Sequence, residues 1–520
     1  MLFSGVPFSL IHLKCADGYY LKNGQPTTEP VDIGFSIKPL RQLHGHTLAS
    51  EFGPIRLKAV RHGLLAGLRT ILSDVEKAST REPLEIAGDC PPLTIMSQGA
   101  PHRSRMPVAL AWLFLGIVGW LVFGPLYFRA LRPPHDRITD YFQDWASARN
   151  HLTGRPVYTE HTTSLPLYVG VASYPDPRMA RNAHPPTSVL LALPLGYLPF
   201  REAALAWNLV SLSAFVLSLL IVVSALGLAP AKILPILALL SFCHPLYANV
   251  HQCQLTLFLV LLVTGVWVLD RAGHHVGAGA ILGTVAAIKL FPGYLAVYFL
   301  ARRQYKLLAA ALIAFLSWSV LTALILGRQA YHDYVQLVMP GLSVFRSYEY
   351  NLSLAGFWHK LFDPVAEAEL IRPLWSCPGL ASSATLLSDL AVTALIVIAA
   401  RGARDTTQRD FAFTAVVTAM LLVSPITWDF SLPLLLVPIM VLSFGTGTRR
   451  SLCAMLLLGT VLTVFWLPQD LLTDLAGRPV TKASPFFLLG MPSVKFYGIL
   501  GLLGLILRQS GNLDVGRKMT

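Results

Sequence analysis

From Pro107 to about residue 508, apolar runs of near-membrane length follow one another, separated by short polar loops. Inside hydrocarbon every backbone N–H and C=O needs a partner within its own segment, so such runs must fold as helices. The composition agrees. Of 520 residues, 54% are hydrophobic and 13% are charged, and the mean hydropathy is +0.56. Soluble domains carry about a quarter charged residues, so the chain reads as an integral membrane protein. Its net charge of +13 fits the basic inner loops that orient membrane proteins. Nucleic-acid binding is excluded, because no basic run with interleaved aromatics lies on a soluble segment. Six dispersed cysteines form no CxxC pair and no metal spacing, so neither a disulfide framework nor a metal site is expected.

The loop charges give a topology. His102-Arg103-Ser104-Arg105 precedes the run 107–127, which therefore starts inside. Further spans read 203–228, 230–247, 254–270, 276–289, 291–301, 306–326, 379–400, 410–424, 429–446, 451–468 and 485–508. The total of about twelve leaves both termini inside. Arg271, Arg302, Arg303, Lys306, Arg401, Arg404, Arg409, Arg449, Arg450 and Arg508 then all fall inside. That agreement requires a break at Leu290-Phe291-Pro292, which the proline favours by removing a backbone donor. The stretch 188–200 would be about 20 Å long as a helix, too short to span, and reads as interfacial or re-entrant. The outer loops 128–202 and 327–378 are long enough to be exempt from the charge rule.

Three regions follow. Residues 1–105 read as a poorly structured inner extension or as an over-extended start, with Met96 or Met106 the first residue. Residues 106–510 form the membrane domain, and 511–520 an inner tail.

With the spans so oriented, the informative polar residues collect at the outer face: Asp140, Asp144, His184, Asn249, His251, Gln254, Lys289, Arg346, Asn351, Trp428 and Asp429. The densest segment is Thr139–Gly154. Thr139 suits a helix N-cap and Gly154 a left-handed C-terminal cap. Tyr141, Trp145, Ala148 and Leu152 make an apolar stripe fit for a membrane surface. Asp140 and Asp144 stand one turn apart beside it, either a solvated face or a functional pair. Lys289 ends an apolar helix, where a lysine is costly unless it reaches water or an anion. Asn249, His251 and Gln254 fall in a brief outer turn. His244-Pro245 and His184-Pro185-Pro186 read as turn or helix-start signals. Trp428 and Asp429 close another tight turn, Ser424–Asp429.

Taken in order, DYFQDWASARNHLTGRPVY, HPPTSVLLALPLGYLP, NVHQCQLTLFLVLL, AAIKLFPGYLAVYFLARR, YNLSLAG and SPITWDFSLPLLLVP resemble glycosyltransferase family 87. The likeness covers about 107–508 as an ordered set of motifs. The chain departs from the pattern at Cys253, where Gly-Gln is usual before the next span, and at Phe430, where a histidine often follows Trp-Asp. The resemblance implies an all-α polytopic GT-C-like bundle with a long first outer loop. It implies transfer of a hexose, mannose first, from a polyprenyl-phosphate donor to a glycan or glycolipid acceptor. The reaction would run outside a cell membrane, with inversion and no cofactor. Asp140 matches the first-loop base best, with Asp144 its rival. Lys289 and Arg346 are candidates for the leaving phosphate. His184, Asn249, His251, Gln254, Asn351, Trp428 and Asp429 would complete the substrate site.

Two other classes remain open. A transporter or flippase would show paired repeats and mid-membrane charges. No repeat is evident, and the ionisable residues sit at span ends. An oligosaccharide polymerase or ligase would differ by using a lipid-linked oligosaccharide donor.

Overall fold

The computed structural model describes residues 21–22, 25–26, 106–134, 137–170, 180–229, 232–363, 372–445, 452–475, 487 and 489–517. The chain divides into a unit of residues 1–100 and one of 101–520. In the first, only a two-residue antiparallel pair is described, β1 (Leu21–Lys22) with β2 (Gln25–Pro26). The expectation of a poorly structured extension otherwise lies outside the described residues, as does Met96.

The second unit is helical. In order it contains α1 (Met106–Leu131), α2 (Tyr141–Leu152), α3 (His161–Tyr168), α4 (Pro186–Ala192), α5 (Phe200–Ala225), α6 (Ile233–Ser241), α7 (His244–Gln252), α8 (Thr256–Arg271) and α9 (His275–Ile288). Then come α10 (Ala296–Ala301), α11 (Tyr305–Leu326), α12 (Arg328–Asp333), α13 (Leu354–Phe362), α14 (Pro378–Gly402) and α15 (Thr406–Val423). The last are α16 (Leu436–Phe444), α17 (Leu452–Trp466), α18 (Gln469–Leu475) and α19 (Val494–Arg517). Among the described residues, five helices are long and apolar enough to cross a membrane, and the α6–α7 pair, bent by 58°, makes a sixth. Most other expected spans are present as shorter apolar helices. The chain is an all-α polytopic membrane protein.

Sequence explains the packing. α15 starts on a capping box: Asp405 accepts the Gln408 backbone N–H at 2.9 Å, and the Gln408 side chain turns back to the Asp405 N–H. From Asp410 to Leu422 the helix is buried on every side, so it forms the centre of the bundle. α9 lies close against α11 because Gly279 and Gly283 share one face. A Cβ at either would stand 2.2 or 2.1 Å from the carbonyl oxygen of Leu307 or Ala311. α1, α11 and α14 turn most of their apolar surface outward, through residues such as Phe128, Leu324 and Ile398. The break at Leu290-Phe291-Pro292 is present: α9 stops at Ile288 and a 3₁₀ turn, Phe291–Leu295, leads into α10.

Four expectations change. Asp140, not Thr139, occupies the N-cap position of α2. The apolar stripe of α2 does not lie on a surface; nearly the whole helix is buried, with Tyr141 stacked on Trp207 at 5.5 Å. Asn249 and His251 sit on α7 rather than in a turn, because Pro245 starts a helix there and the chain turns only at left-handed Cys253 (φ 53°). The final helix runs on through Arg517, past the expected tail boundary.

Candidate active site around the first loop

The two aspartates of α2 have different surroundings. Asp144 lies under the returning segment 182–188, with 1% of its side chain exposed. It accepts hydrogen bonds from Ser188 Oγ at 2.7 Å, His184 Nδ1 at 2.9 Å and Asn182 Nδ2 at 3.1 Å. Gln143 secures the same segment by accepting the Ala183 backbone N–H at 2.9 Å. The Tyr158 hydroxyl donates to the His184 carbonyl at 2.7 Å. Burial pushes the Asp144 carboxyl up, but the His184 imidazole and the bonds from His184, Ser188 and Asn182 outweigh it and hold the carboxyl below the usual range. A buried anion with its lone pairs so occupied orients a histidine and a loop; it has little capacity to accept another proton.

Asp140, one turn earlier, is half-buried and accepts a hydrogen bond from Gln254 Nε2. Gln254 follows the left-handed Cys253, and its backbone carbonyl accepts from Trp207 Nε1 at 3.3 Å, so the backbone that carries the amide is fixed. Lys289, just past α9, feels the charge of both Asp144 and Asp140, and its amine lies 5.8 Å from the Phe291 ring centroid. The structure thus brings together Asp140, Asp144, His184, Gln254 and Lys289 from four separate stretches of sequence.

The remaining candidates fall in two neighbouring groups. Asp429 accepts from His244 Nδ1 at 2.9 Å and from Lys495 Nζ. Asn249 donates to the carbonyls of Pro245 (2.8 Å) and Phe430 (2.7 Å), fastening α7 to the turn that begins at Asp429. His251 shares a face of α7 with Tyr247, at 5.5 Å between rings. Farther along, Asn351 is wholly engaged. Its amide donates to the carbonyls of Arg346 (3.0 Å) and Pro425 (2.9 Å), and its oxygen accepts from Ser353 and Thr427 backbone N–H groups. It ties the loop that carries exposed Arg346 to the turn that carries half-buried Trp428, whose ring meets Tyr348 edge-on at 5.2 Å.

Sequence reasoning missed Asn182, Ser188 and Lys495; it took His244-Pro245 for a turn or helix-start signal, which the start of α7 at His244 matches, without assigning His244 a partner. Lys495 carried the same mark as Lys289, a lysine in an apolar helix. Asn182 and Ser188 carried none, since their role exists only once 182–188 folds over α2.

Residues 182–425 match the model of glycosyltransferase family 87. The match begins at one donor to Asp144 and ends at the proline that receives Asn351; it takes in His184, Asn249, His251, Gln254, Lys289, Arg346 and Asn351 but not Asp140, Asp144, Trp428 or Asp429. The resemblance read from the motifs is borne out over that span. A polyprenol-phosphate-mannose-dependent alpha-(1-2)-phosphatidylinositol mannoside mannosyltransferase of Mycobacterium tuberculosis is 24% identical over 407 residues, 72% of this chain and 85% of the relative. An alpha-(1->3)-arabinofuranosyltransferase of the same species is 28% identical over 185 residues, 34% of this chain and 39% of the relative. No solved structure matches. With the helical bundle, these likenesses make the chain a membrane glycosyltransferase.

Proposed function

We propose that the chain transfers a hexose, mannose first, from a polyprenyl phosphate to a glycan or glycolipid acceptor at the outer face of a cell membrane. Inversion needs a base on one face of the sugar and a leaving group on the other. Asp140 is the base. It takes the proton of the acceptor hydroxyl while that oxygen attacks the anomeric carbon and the carbon–oxygen bond to phosphate breaks. The lipid phosphate departs with the electron pair, and Lys289 offsets its growing charge. The contrast within α2 carries this reading. Asp140 is half-buried and held by the Gln254 amide, whereas Asp144 is buried and engaged by three donors. Asp144 and His184 act as positioning residues that hold the first loop over the site. Lys289 feels the charge of both carboxylates and is the better phosphate partner; Arg346 is a rim cation for the acceptor.

The test is transfer of radiolabel from polyprenyl-phosphate-mannose in membranes containing the wild-type chain or Asp140→Asn at matched levels. Label entering a glycan or glycolipid only with the wild type supports the reading. No transfer with either, but transfer from a pentofuranosyl donor, would replace the sugar, in line with the arabinofuranosyltransferase relative. Sidedness has its own check: reporters fused after Arg303 and Arg409 should report inside, and one after Ala330 outside. Swapped signals would move the site to the other face.

A further inference from the structure

The reaction above leaves unused an apolar cleft bounded by α5, α6, α16, α17 and the turn Asp429–Leu435. Its cavity volume is about 140 Å³, narrower than a pocket for a whole ligand of ordinary size. Its walls are aliphatic and aromatic, including Phe215, Ile236, Met440 and Trp466, with Ser443 the hydroxyl among the lining residues. A sugar would lose its hydrogen bonds there, whereas a hydrocarbon chain would lose none.

One end of the cleft is chemically different. Cys243 and Pro245 line it, and His244 stands between them. Leu432 and Pro433 line the facing wall, three and four residues after Asp429. Lys495, with none of its side chain exposed, pairs with Asp429 and balances its charge. The Asp429 carboxylate also engages His244 Nδ1, which leaves Nε2 as the ring nitrogen for a ligand; the His244 side chain is 26% exposed. Tyr247 and His251 continue from His244 along α7, with ring centroids 6.0 and 5.5 Å apart in turn. The guanidinium of Arg137 acts on Tyr247 and His251. That face rises about 10 Å from His244 to His251 and leads to Gln254, which holds Asp140.

We propose that this cleft seats the isoprenoid chain of the lipid donor, with its phosphate at His244 and its sugar laid along α7 toward Asp140. The proposal rests on the donor reading above and adds where the lipid enters and which residues receive it. An apolar trough lined by the residues on either side of His244, whose imidazole is braced by a neutralised carboxylate, suits one hydrocarbon chain bearing one phosphate.

The experiment uses the full chain in nanodiscs and a short isoprenyl phosphate carrying a photoreactive diazirine in its tail, with labelled peptides mapped by mass spectrometry. Label should fall on 236–246, 432–443 and 462–466. Unlabelled polyprenyl phosphate should displace it at least about tenfold better than the matching isoprenol, as a charge-assisted contact requires. His244→Gln should remove that preference, and Leu240→Trp, which fills the trough, should remove the label. Label spread elsewhere, or equal displacement by the isoprenol, would overturn the assignment. So would displacement by phosphatidic acid as effective as by polyprenyl phosphate, since a general membrane-lipid site would explain it. The measurement needs no turnover. Transfer with an unlabelled cleft sinks this site alone, and a labelled cleft without transfer sinks the donor reading alone.

Discussion

The first-loop corner and the head of the cleft each hold an aspartate 2.9 Å from a histidine Nδ1, yet they neutralise the carboxylate in different ways. Asp144 relies on an amide, a hydroxyl and a ring nitrogen, all supplied by 182–188. Asp429 relies on a buried lysine from α19 and an imidazole from α7. The first arrangement locks a loop onto a helix. The second ties together three elements distant in sequence and leaves an imidazole edge exposed. A carboxylate satisfied mostly by dipoles serves geometry, whereas one balanced by a full cation can present its histidine to an anion.

The largest expected effect tests whether the first corner's chemistry lies outside its dyad. Asp140→Asn should lower turnover by about 10²–10⁴-fold, the usual worth of a general base, with donor binding retained because the amide keeps the shape. Asp144→Asn should act mainly on stability, by about 1–3 kcal/mol, since it sets an amide against donors that need an acceptor. Near-normal transfer by Asp140→Asn with a dead Asp144→Asn would move the base one turn along α2. Near-normal transfer by both would remove catalysis from the helix altogether.

Next comes the charge at the second corner. Asp429→Asn strands Lys495, whose side chain is wholly buried, and should cost about 3–5 kcal/mol. Adding Lys495→Met should recover most of that loss, because no uncompensated charge remains. Unfolding in detergent measures both variants. If the double variant is no more stable than Asp429→Asn, the ion pair is not what distinguishes this corner.

Lys289→Ala is expected to be smaller. Removing a charge-assisted contact to the donor phosphate should weaken donor binding by about 10–100-fold, with less effect on the chemical step. An unchanged donor affinity together with a loss in Asp144 stability would make Lys289 a structural counter-charge to the two aspartates.

The two corners were unequally legible in the sequence. The helical bundle followed from apolar runs, and the break at Leu290-Phe291-Pro292 followed from a proline where the loop charges required one. Asp140, Gln254 and Lys289 were legible because polar groups at the ends of apolar helices are costly without a purpose. The burial of α2 was not. Its periodicity gives one apolar stripe, but Asn182 and Ser188 cover its polar face, and only the fold of a later segment places them there. The second corner was hidden for a similar reason: Asp429 lies 185 residues from His244 and 66 from Lys495. Local spacing carries no trace of such pairs.

The smallest prediction separates the corners by acid. His161 opens α3 behind Asp144, with 2% of its surface exposed and its ring edge-on to Phe142 at 5.6 Å. Burial pulls its pKa down to about 4, against a partial counter-effect from the Arg181 backbone and the Asp144 charge. The unfolded chain, titrating near 6.5, therefore binds more protons than the folded one between pH 6.5 and 4. Stability must fall as pH drops through that window, by about 1 kcal/mol between pH 6.5 and 5.5 for this one group. His161→Gln removes the titration and should flatten that part of the profile of unfolding temperature against pH. Hydrogen exchange at pH 5.5, corrected for the intrinsic effect of pH, should show α2 and α3 loosening while Asp429–Phe444 stays protected. The reverse order, or a His161→Gln profile parallel to that of the wild type, would mean that the first-loop corner does not pay its acid cost through this histidine.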